Sequence, residues 1–569
     1  MRGIGATGRR RRGWFAIGPW TLPLAAAALL FVALALFGAR WHWVEEAGSA
    51  ERDGYVAEAE AILAGELPRD PYRPALYPLL VAALARPAGD AFTAARTLSN
   101  LAAAALALLA FAFGRRLAGD CGEPPGAAGP GPAGFKPAPA GPAGSKPARA
   151  GWWAFALVAA NPNLWILGQH VTTDMLFAAL AAAALLAGLV YLEAPGWRPA
   201  LAAGAALGLA AFTRGNALFL VPGLALGWWL APPRSTDGRA GGRRVAHLVA
   251  LAAVALVLLA PHFALRAAVF GDPFHDENWK NLAWKLDGYP DWSALGRIDH
   301  DGPAELLSEE SGAVLASALT ELARFAGSGL AQLLGTPLHV LALLAGATAA
   351  LAWRRRPAAW LLAAAGCFLA GVAVVFFTWG RLLLVLLPIA AALTASPTAG
   401  AVGRRLGRRL AAGAGTGRPP SDRAASILRR APLALAVVLV ALLALKTFAF
   451  RLPDFVERHP YREVAVARRV AAATPPGTVL AGTSPFLGRY LERRWIDLPD
   501  AGGEAIGDPV RYLEQLHRLV ADEGIDYLVV GRLDLRGRPA SLLADEPPVP
   551  WLAAAGGDQR VRVWRVLER

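Results

Sequence analysis

Two short stretches carry side chains suited to acid–base and phosphate chemistry: Glu51-Arg52-Asp53-Gly54-Tyr55 and Arg73-Pro74-Ala75-Leu76-Tyr77-Pro78. A carboxylate held beside a hydroxyl can take its proton, and a guanidinium can grip a phosphate through two parallel N–H bonds. After Asp53 the apolar residues Tyr55, Ala59, Ile62, Leu63 and Leu67 recur at helical spacing. That spacing predicts an amphipathic helix lying at a membrane interface. Asp53 then either caps the helix, as Asp does well, or serves as a general base facing a cavity at membrane level. Arg73, fixed before a proline in an extended turn, either binds a phosphate or touches lipid headgroups.

Further candidates lie along the chain. Thr172-Thr173-Asp174 opens an apolar stretch, where Asp174 is placed to cap a helix. Arg214 in Thr213-Arg214-Gly215-Asn216 and Arg381 in Thr378-Trp379-Gly380-Arg381 fall in turns where the topology below expects few cations. Each either attracts an anionic lipid phosphate or pairs with a carboxylate. The run Phe270-Gly271-Asp272-Pro273-Phe274-His275-Asp276-Glu277-Asn278-Trp279 mixes side chains that suit sugar contacts. His275, Asp276 and Glu277 are adjacent, and adjacent residues seldom converge on one ion, so a divalent metal is possible but not indicated. No phosphate-binding loop, dinucleotide fingerprint or serine nucleophile elbow occurs. No cofactor is expected, and any activated group must come from the membrane itself.

The elements that position these residues are built for lipid. Of 569 residues 55% are hydrophobic and only 18% charged, with a mean hydropathy of +0.38, too apolar for a soluble domain. The net charge of +14 does not point to nucleic acid, because the arginine clusters 9–12, 115–116, 243–244, 354–356, 404–409 and 429–430 flank apolar runs. That is the positive-inside pattern. About eleven helical spans are expected, at 18–38, 92–114, 151–168, 174–192, 199–213, 217–232, 246–265, 328–352, 358–377, 381–396 and 432–450. The first reads as an uncleaved signal anchor.

With a basic cytoplasmic N-terminus (1–17), the transmembrane module spans 18–396, and loops 39–91 and 266–327 fall outside the cell membrane. The Pro-, Gly- and Ala-rich segment 115–150 reads as a disordered cytoplasmic linker, and 397–431 as a second, basic one. After the last span, 432–450, residues 451–569 read as an extracytoplasmic α/β domain. Its expected helices are Tyr461–Ala473 and Pro509–Glu523, and its strands Val479–Gly482, Trp495–Leu498, Tyr527–Gly531 and Val561–Leu567. The two cysteines, Cys121 and Cys367, suggest neither a disulfide framework nor a metal site.

In this order the motifs resemble the GT-C glycosyltransferases, and among them the bacterial dolichyl-phosphate-mannose–protein mannosyltransferase-like and aminoarabinose-transferase-like group (family 39-like). The resemblance rests on the acidic first loop before Tyr55, the Arg73–Pro78 turn, Thr172-Thr173-Asp174-Met-Leu-Phe, Gly208–Asn216 and Arg266–Pro273, covering about 20–400. Two departures stand out: Arg52 separates the acidic pair, and Ala75 replaces a common second proline. The resemblance implies a polytopic α-helical GT-C-like fold and transfer of a sugar from a polyprenyl-phosphate donor. The acceptor would be a protein, lipid or polysaccharide. By carry-over Asp53, with Glu51 beside it, deprotonates the acceptor hydroxyl, and Arg73 holds the departing phosphate together with Arg214 or Arg381. Tyr55, Tyr77, Asp174 and Asn278 complete the expected substrate contacts. The competing reading is a transporter or flippase of a lipid-linked precursor, a class that places charges at mid-membrane and often shows internal repeats.

Overall fold

The computed structural model describes residues 20–41, 54–70, 72–119, 145–230, 240–286, 300, 302–352, 356–378, 380–395, 422–458, 461–482, 491, 493–498, 509–531, 549–557 and 561–567. Glu51 and Asp53 lie outside the described residues, as do the N-terminal segment 1–17 and most of the two expected linkers.

The chain begins with α1 (Thr21–Trp41), α2 (Tyr55–Leu63), α3 (Leu76–Ala88) and α4 (Ala91–Gly119). Then come α5 (Ser145–Ala159), α6 (Pro162–Leu167), α7 (Asp174–Glu193), α8 (Trp197–Thr213), α9 (Val221–Leu230) and α10 (Ala240–Phe270). After them follow α11 (Lys280–Leu286), α12 (Pro303–Arg324), α13 (Leu330–Leu334), α14 (Pro337–Ala352), α15 (Arg356–Val375) and α16 (Leu387–Ala395). The last apolar helix is α17 (Asp422–Leu445), continued by α18 (Leu452–Arg458).

Among the described residues six helical stretches are long and apolar enough to cross a membrane: Thr21–Arg40, Ala91–Ala118, Asp174–Glu193, Gly242–Phe270, Arg356–Val375 and Ala434–Val456. A seventh follows if Pro303–Leu334 and Pro337–Leu351, bent by 106°, count as one. That is fewer than the sequence suggests. The remaining expected spans are helical but short or interrupted: α5 has 15 residues, α8 has 17, and α16 has 9 behind a 3-10 turn. Hydropathy registers any apolar run, whereas crossing the hydrocarbon needs about 20 helical residues.

Apolar side chains gain little by leaving lipid for one another, so the bundle is joined by small residues that let backbones approach. A Cβ at Gly204 would sit 2.4 Å from the Leu251 carbonyl, and one at Gly208 2.8 Å from the Ala255 backbone, which seats α8 on α10. α4 is the central helix, 72% of its apolar window being buried against 11% for α10.

The expected span 328–352 is broken. Gly335 turns the chain at φ 85° between α13 and α14, and the carbonyls this frees must be satisfied within the protein. Asn163 donates to Gln332 O, Asn161 to Leu333 O, His339 Nδ1 to Leu334 O and Lys446 Nζ to Gly335 O. The Asn161-Pro162-Asn163 sequence inside the expected third span is a helix start: Asn161 Oδ1 accepts from Asn163 N at 2.8 Å, with Pro162 in the first turn.

The C-terminal part contains α19 (Tyr461–Ala473), β1 (Leu480–Gly482), β2 (Trp495–Asp497), α20 (Pro509–Glu523), β3 (Tyr527–Gly531), β4 (Leu552–Gly557) and β5 (Val561–Val566). The sheet order is β2-β1-β3-β5-β4, parallel across β2, β1 and β3 and antiparallel across β3, β5 and β4. Strand alternation divides the core: Leu528 and Val530 meet Tyr512, Leu516 and Val520 of α20, while Val529 meets Val466 and Ala467 of α19. β4 was absent from the sequence reading. Leu-Ala-Ala-Ala-Gly-Gly has poor strand propensity, and its pairing as a bulged edge strand makes it one.

Candidate functional site

Three arginines far apart in the chain line one cleft, and each lies in a turn next to a helix. Arg73 precedes α3, Arg214 follows α8 and Arg381 follows α15; with them stand Tyr55, Tyr72, Asn216, Asn278, Asn281 and Trp284. The cleft measures about 770 Å³ with its open mouth, and among the described residues no carboxylate lines it.

Arg73 is set by Asp70. The Asp70 carboxylate accepts from Tyr72 N at 2.7 Å and from Arg73 N at 3.0 Å, and it pairs with Arg73 Nη1 at 2.7 Å. Such an aspartate-nucleated turn is local chemistry. From below, Arg266 donates to the carbonyls of Asp70 and Arg73, at 2.5 and 3.1 Å. The Arg73 guanidinium lies 5.5 Å from the centre of the Tyr55 ring.

Arg214 is held differently. α8 ends at Thr213, and Arg214 is extended (φ −154°, ψ 133°) before a 3-10 turn over Gly215–Leu220. Its Nη1 pairs with the Asp174 carboxylate and donates to Thr173 Oγ1 at 3.2 Å. Thr172 Oγ1 supports the other Asp174 oxygen at 2.9 Å, and Tyr55 OH meets Thr173 Oγ1 at 3.2 Å. The Thr172-Thr173-Asp174 stretch thus fastens both Tyr55 and Arg214. Asn216, 5% exposed, keeps an amide nitrogen with no hydrogen-bond partner among the described residues. A buried donor of that kind is costly unless something comes to accept from it.

Arg73, Arg214, Arg381, Tyr55 and Asn278 therefore meet at one cleft, and two other expected residues do not. Tyr77 is fully buried, its hydroxyl 3.2 Å from both the Ala95 carbonyl and Ser99 Oγ, and its ring packs 5.1 Å from Tyr55. It backs the cleft wall because the first turn of α3 points inward. Asp174 is the first residue of α7 rather than its cap, and it contacts Arg214 instead of the cleft. At α2 the cap position belongs to Gly54 (φ 60°). The helix starts at Tyr55 and ends at Leu63, since Gly65 (φ 92°) stops it short of Leu67.

The sequence reading missed Asp70, Arg266, Asn216 and Asn281. The Asp70-Pro71 pair is a turn signal, and Arg266 breaks the positive-inside trend just as Arg214 does. A second hollow, about 830 Å³ with its mouth, shares Tyr72 and Arg73 with the first and is lined also by Glu58, Glu66, Arg69 and Asp70. Burial, then the nearby Asp70, push the Glu58 carboxyl up to about 7, while a bond from Asp70 N and the charges of Arg73 and Arg266 oppose the rise. Burial and a hydrogen bond with Glu277 push the Tyr72 hydroxyl up to about 12. Among the described residues no group of three His, Cys, Asp or Glu is placed to hold a metal ion.

The apolar spans define a multi-pass membrane protein, and its fold is a GT-C-like helical bundle followed by a small sheet domain. The sequence profile described as dolichyl-phosphate-mannose-protein mannosyltransferase matches residues 145–264, the stretch that carries Asp174 and Arg214. ArnT from Cupriavidus metallidurans bound to undecaprenyl phosphate shares the fold, with 16% identity, a TM-score of 0.51, and coverage of 96% of this chain and 98% of that one. The apo state of that ArnT gives 15% identity, a TM-score of 0.50, and coverage of 95% and 98%. No curated protein matches the chain in sequence.

Proposed function

We propose that the protein is an integral membrane glycosyltransferase that moves a sugar from a polyprenyl-phosphate donor to an acceptor hydroxyl on the extracytoplasmic face. The observation that carries this reading is the meeting of Arg73, Arg214 and Arg381 in one cleft free of carboxylates among the described residues. Such a cleft suits an anion, and the apolar bundle around it suits a lipid tail. A relative in fold was crystallised with undecaprenyl phosphate.

In the reaction so drawn, the acceptor oxygen attacks the anomeric carbon from the face opposite the phosphate, with inversion. The bond from that carbon to the phosphate oxygen breaks, and the acceptor proton passes to Asp53. Polyprenyl phosphate leaves with its charge held by the arginines, which lowers the barrier where negative charge develops. Tyr55 and Asn278 line the path of the sugar. The hollow beside Arg73, with Glu58, Glu66 and Asp70, offers an acceptor its approach.

The test uses the purified full chain with polyprenyl-phosphate sugars and a cell-envelope acceptor extract. Asp53→Asn is expected to abolish transfer while undecaprenyl phosphate still binds, and Arg73→Ala to weaken that binding. Normal product formation by Asp53→Asn would overturn the assignment of the base. Movement of intact donor across vesicles without transfer would favour the flippase.

A further inference from the structure

The segment after α15 walls one side of the cleft with Phe376, Phe377, Arg381 and Leu382. Its described residues before Leu384, 376–378 and 380–383, form turns or irregular backbone rather than regular helix, so their conformation must be held from outside. Two buried charges on separate elements do this. Lys285 of α11, 7% exposed, donates to the carbonyls of Ala373 and Val374, which the end of α15 leaves without helical partners. Glu321 of α12, 2% exposed, accepts from Thr378 N at 2.8 Å and from Thr378 Oγ1 at 2.9 Å. Its other oxygen pairs with Arg324 at 2.7 Å.

Neither Lys285 nor Glu321 lines the cleft. A buried carboxylate is expensive unless its bonds are satisfied, and an apolar residue would fill the space at lower cost. What Glu321 provides that an apolar side chain cannot is direction, because it fixes both the amide and the hydroxyl of a residue three positions before Arg381. Lys285 fixes the last turn of α15, from which the segment leaves, and the neighbouring Trp284 packs its ring 5.3 Å from Phe377.

We infer that Glu321, assisted by Lys285, is a positioning residue for lipid-phosphate binding, holding Thr378 and the end of α15 so that Arg381 faces Arg73 and Arg214. The inference rests on the reading of the cleft as a phosphate site. It is tested on the full-length protein in detergent, with undecaprenyl phosphate as probe. Glu321→Ala is expected to weaken binding about tenfold, and Glu321→Gln only about twofold, because the amide oxygen still accepts from Thr378. In an Arg381→Ala background Glu321→Ala should add little, since its effect passes through Arg381. Equal loss in both backgrounds, or no loss in the native one, overturns the inference. Amide exchange at residues 376–378 separates this from failure of the functional reading. Native protein that binds no undecaprenyl phosphate sinks the phosphate site, and with it any part of Glu321 in binding. Faster exchange in Glu321→Ala then still supports a hold on the segment, and unchanged exchange removes that too.

Discussion

At the scale of single residues, two of the cleft's arginines are fixed by carboxylates, Arg73 by Asp70 and Arg214 by Asp174. Asp174 is 1% exposed and relies on Arg214, whose side chain is 20% exposed. The pair is therefore asymmetric. Arg214→Ala strands a buried carboxylate and is expected to cost about 3–5 kcal/mol, whereas Asp174→Ala leaves a cation that can turn toward the cleft and costs less. The double replacement should recover part of the loss, as read by thermal unfolding in detergent. Glu58 makes a second prediction. Its carboxyl is raised from 4.5 to about 7, so the folded protein keeps a proton that the unfolded chain has lost. Its contribution to stability is full below about 4.5 and disappears as pH rises through about 7. Melting temperature should therefore fall as pH rises from about 4.5 to about 7 and level off above that, and Glu58→Gln should flatten that fall. An unchanged slope would remove Glu58 as its source.

Among the elements, contact between helices is decided by where glycine stands. Gly208 has no room for a methyl group against the Ala255 backbone, while Gly366 in α15 has nothing within 4 Å. The same substitution should then act with opposite signs. Gly208→Ala is expected to destabilise by about 1–3 kcal/mol by forcing α8 from α10, and Gly366→Ala to stabilise by about 0.4–1 kcal/mol. Because Arg214 lies just beyond the end of α8, Gly208→Ala should also weaken phosphate binding, and Gly366→Ala should not. Melting temperature and undecaprenyl-phosphate binding together check both signs. The α8 motif was legible as Gly208-Leu-Ala-Ala-Phe-Thr-Arg-Gly-Asn216, but its packing partner was not. A helix's apolar pattern does not say which neighbour it meets.

For the whole molecule, the proposed orientation puts the cleft and the C-terminal sheet on the extracytoplasmic side. With both natural cysteines replaced, a cysteine at Glu66 or Val510 should react with a membrane-impermeant maleimide added to intact cells. One at Val245, at the start of α10, should react only after lysis. Labelling of Val245 and protection of Glu66 would invert the topology and move the reaction to the cytoplasm. Much of this architecture was readable in advance. The long apolar runs correspond to helices, and the α/β character of 461–567 showed in its alternating strands. The count of long spans was not readable, because hydropathy cannot distinguish a full crossing from the broken α13–α14 pair or the short α16.

The sequence by itself determined the solvent for which the chain is built, the helical class and the cationic residues that the proposal assigns to a phosphate. These follow from composition and from local side-chain chemistry, which act over a few residues. Only the tertiary structure decided that Arg73, Arg214 and Arg381 share one cleft, that Tyr77 stands behind Tyr55, and that Asp174 holds Arg214. It also brought Asp70 and Arg266 onto the turn that carries Arg73, and Glu321 onto Thr378. The physical reason is distance along the chain. Convergence across more than three hundred residues between Arg73 and Arg381 depends on how helices pack, and small-residue packing in lipid leaves no periodic signature of its partner.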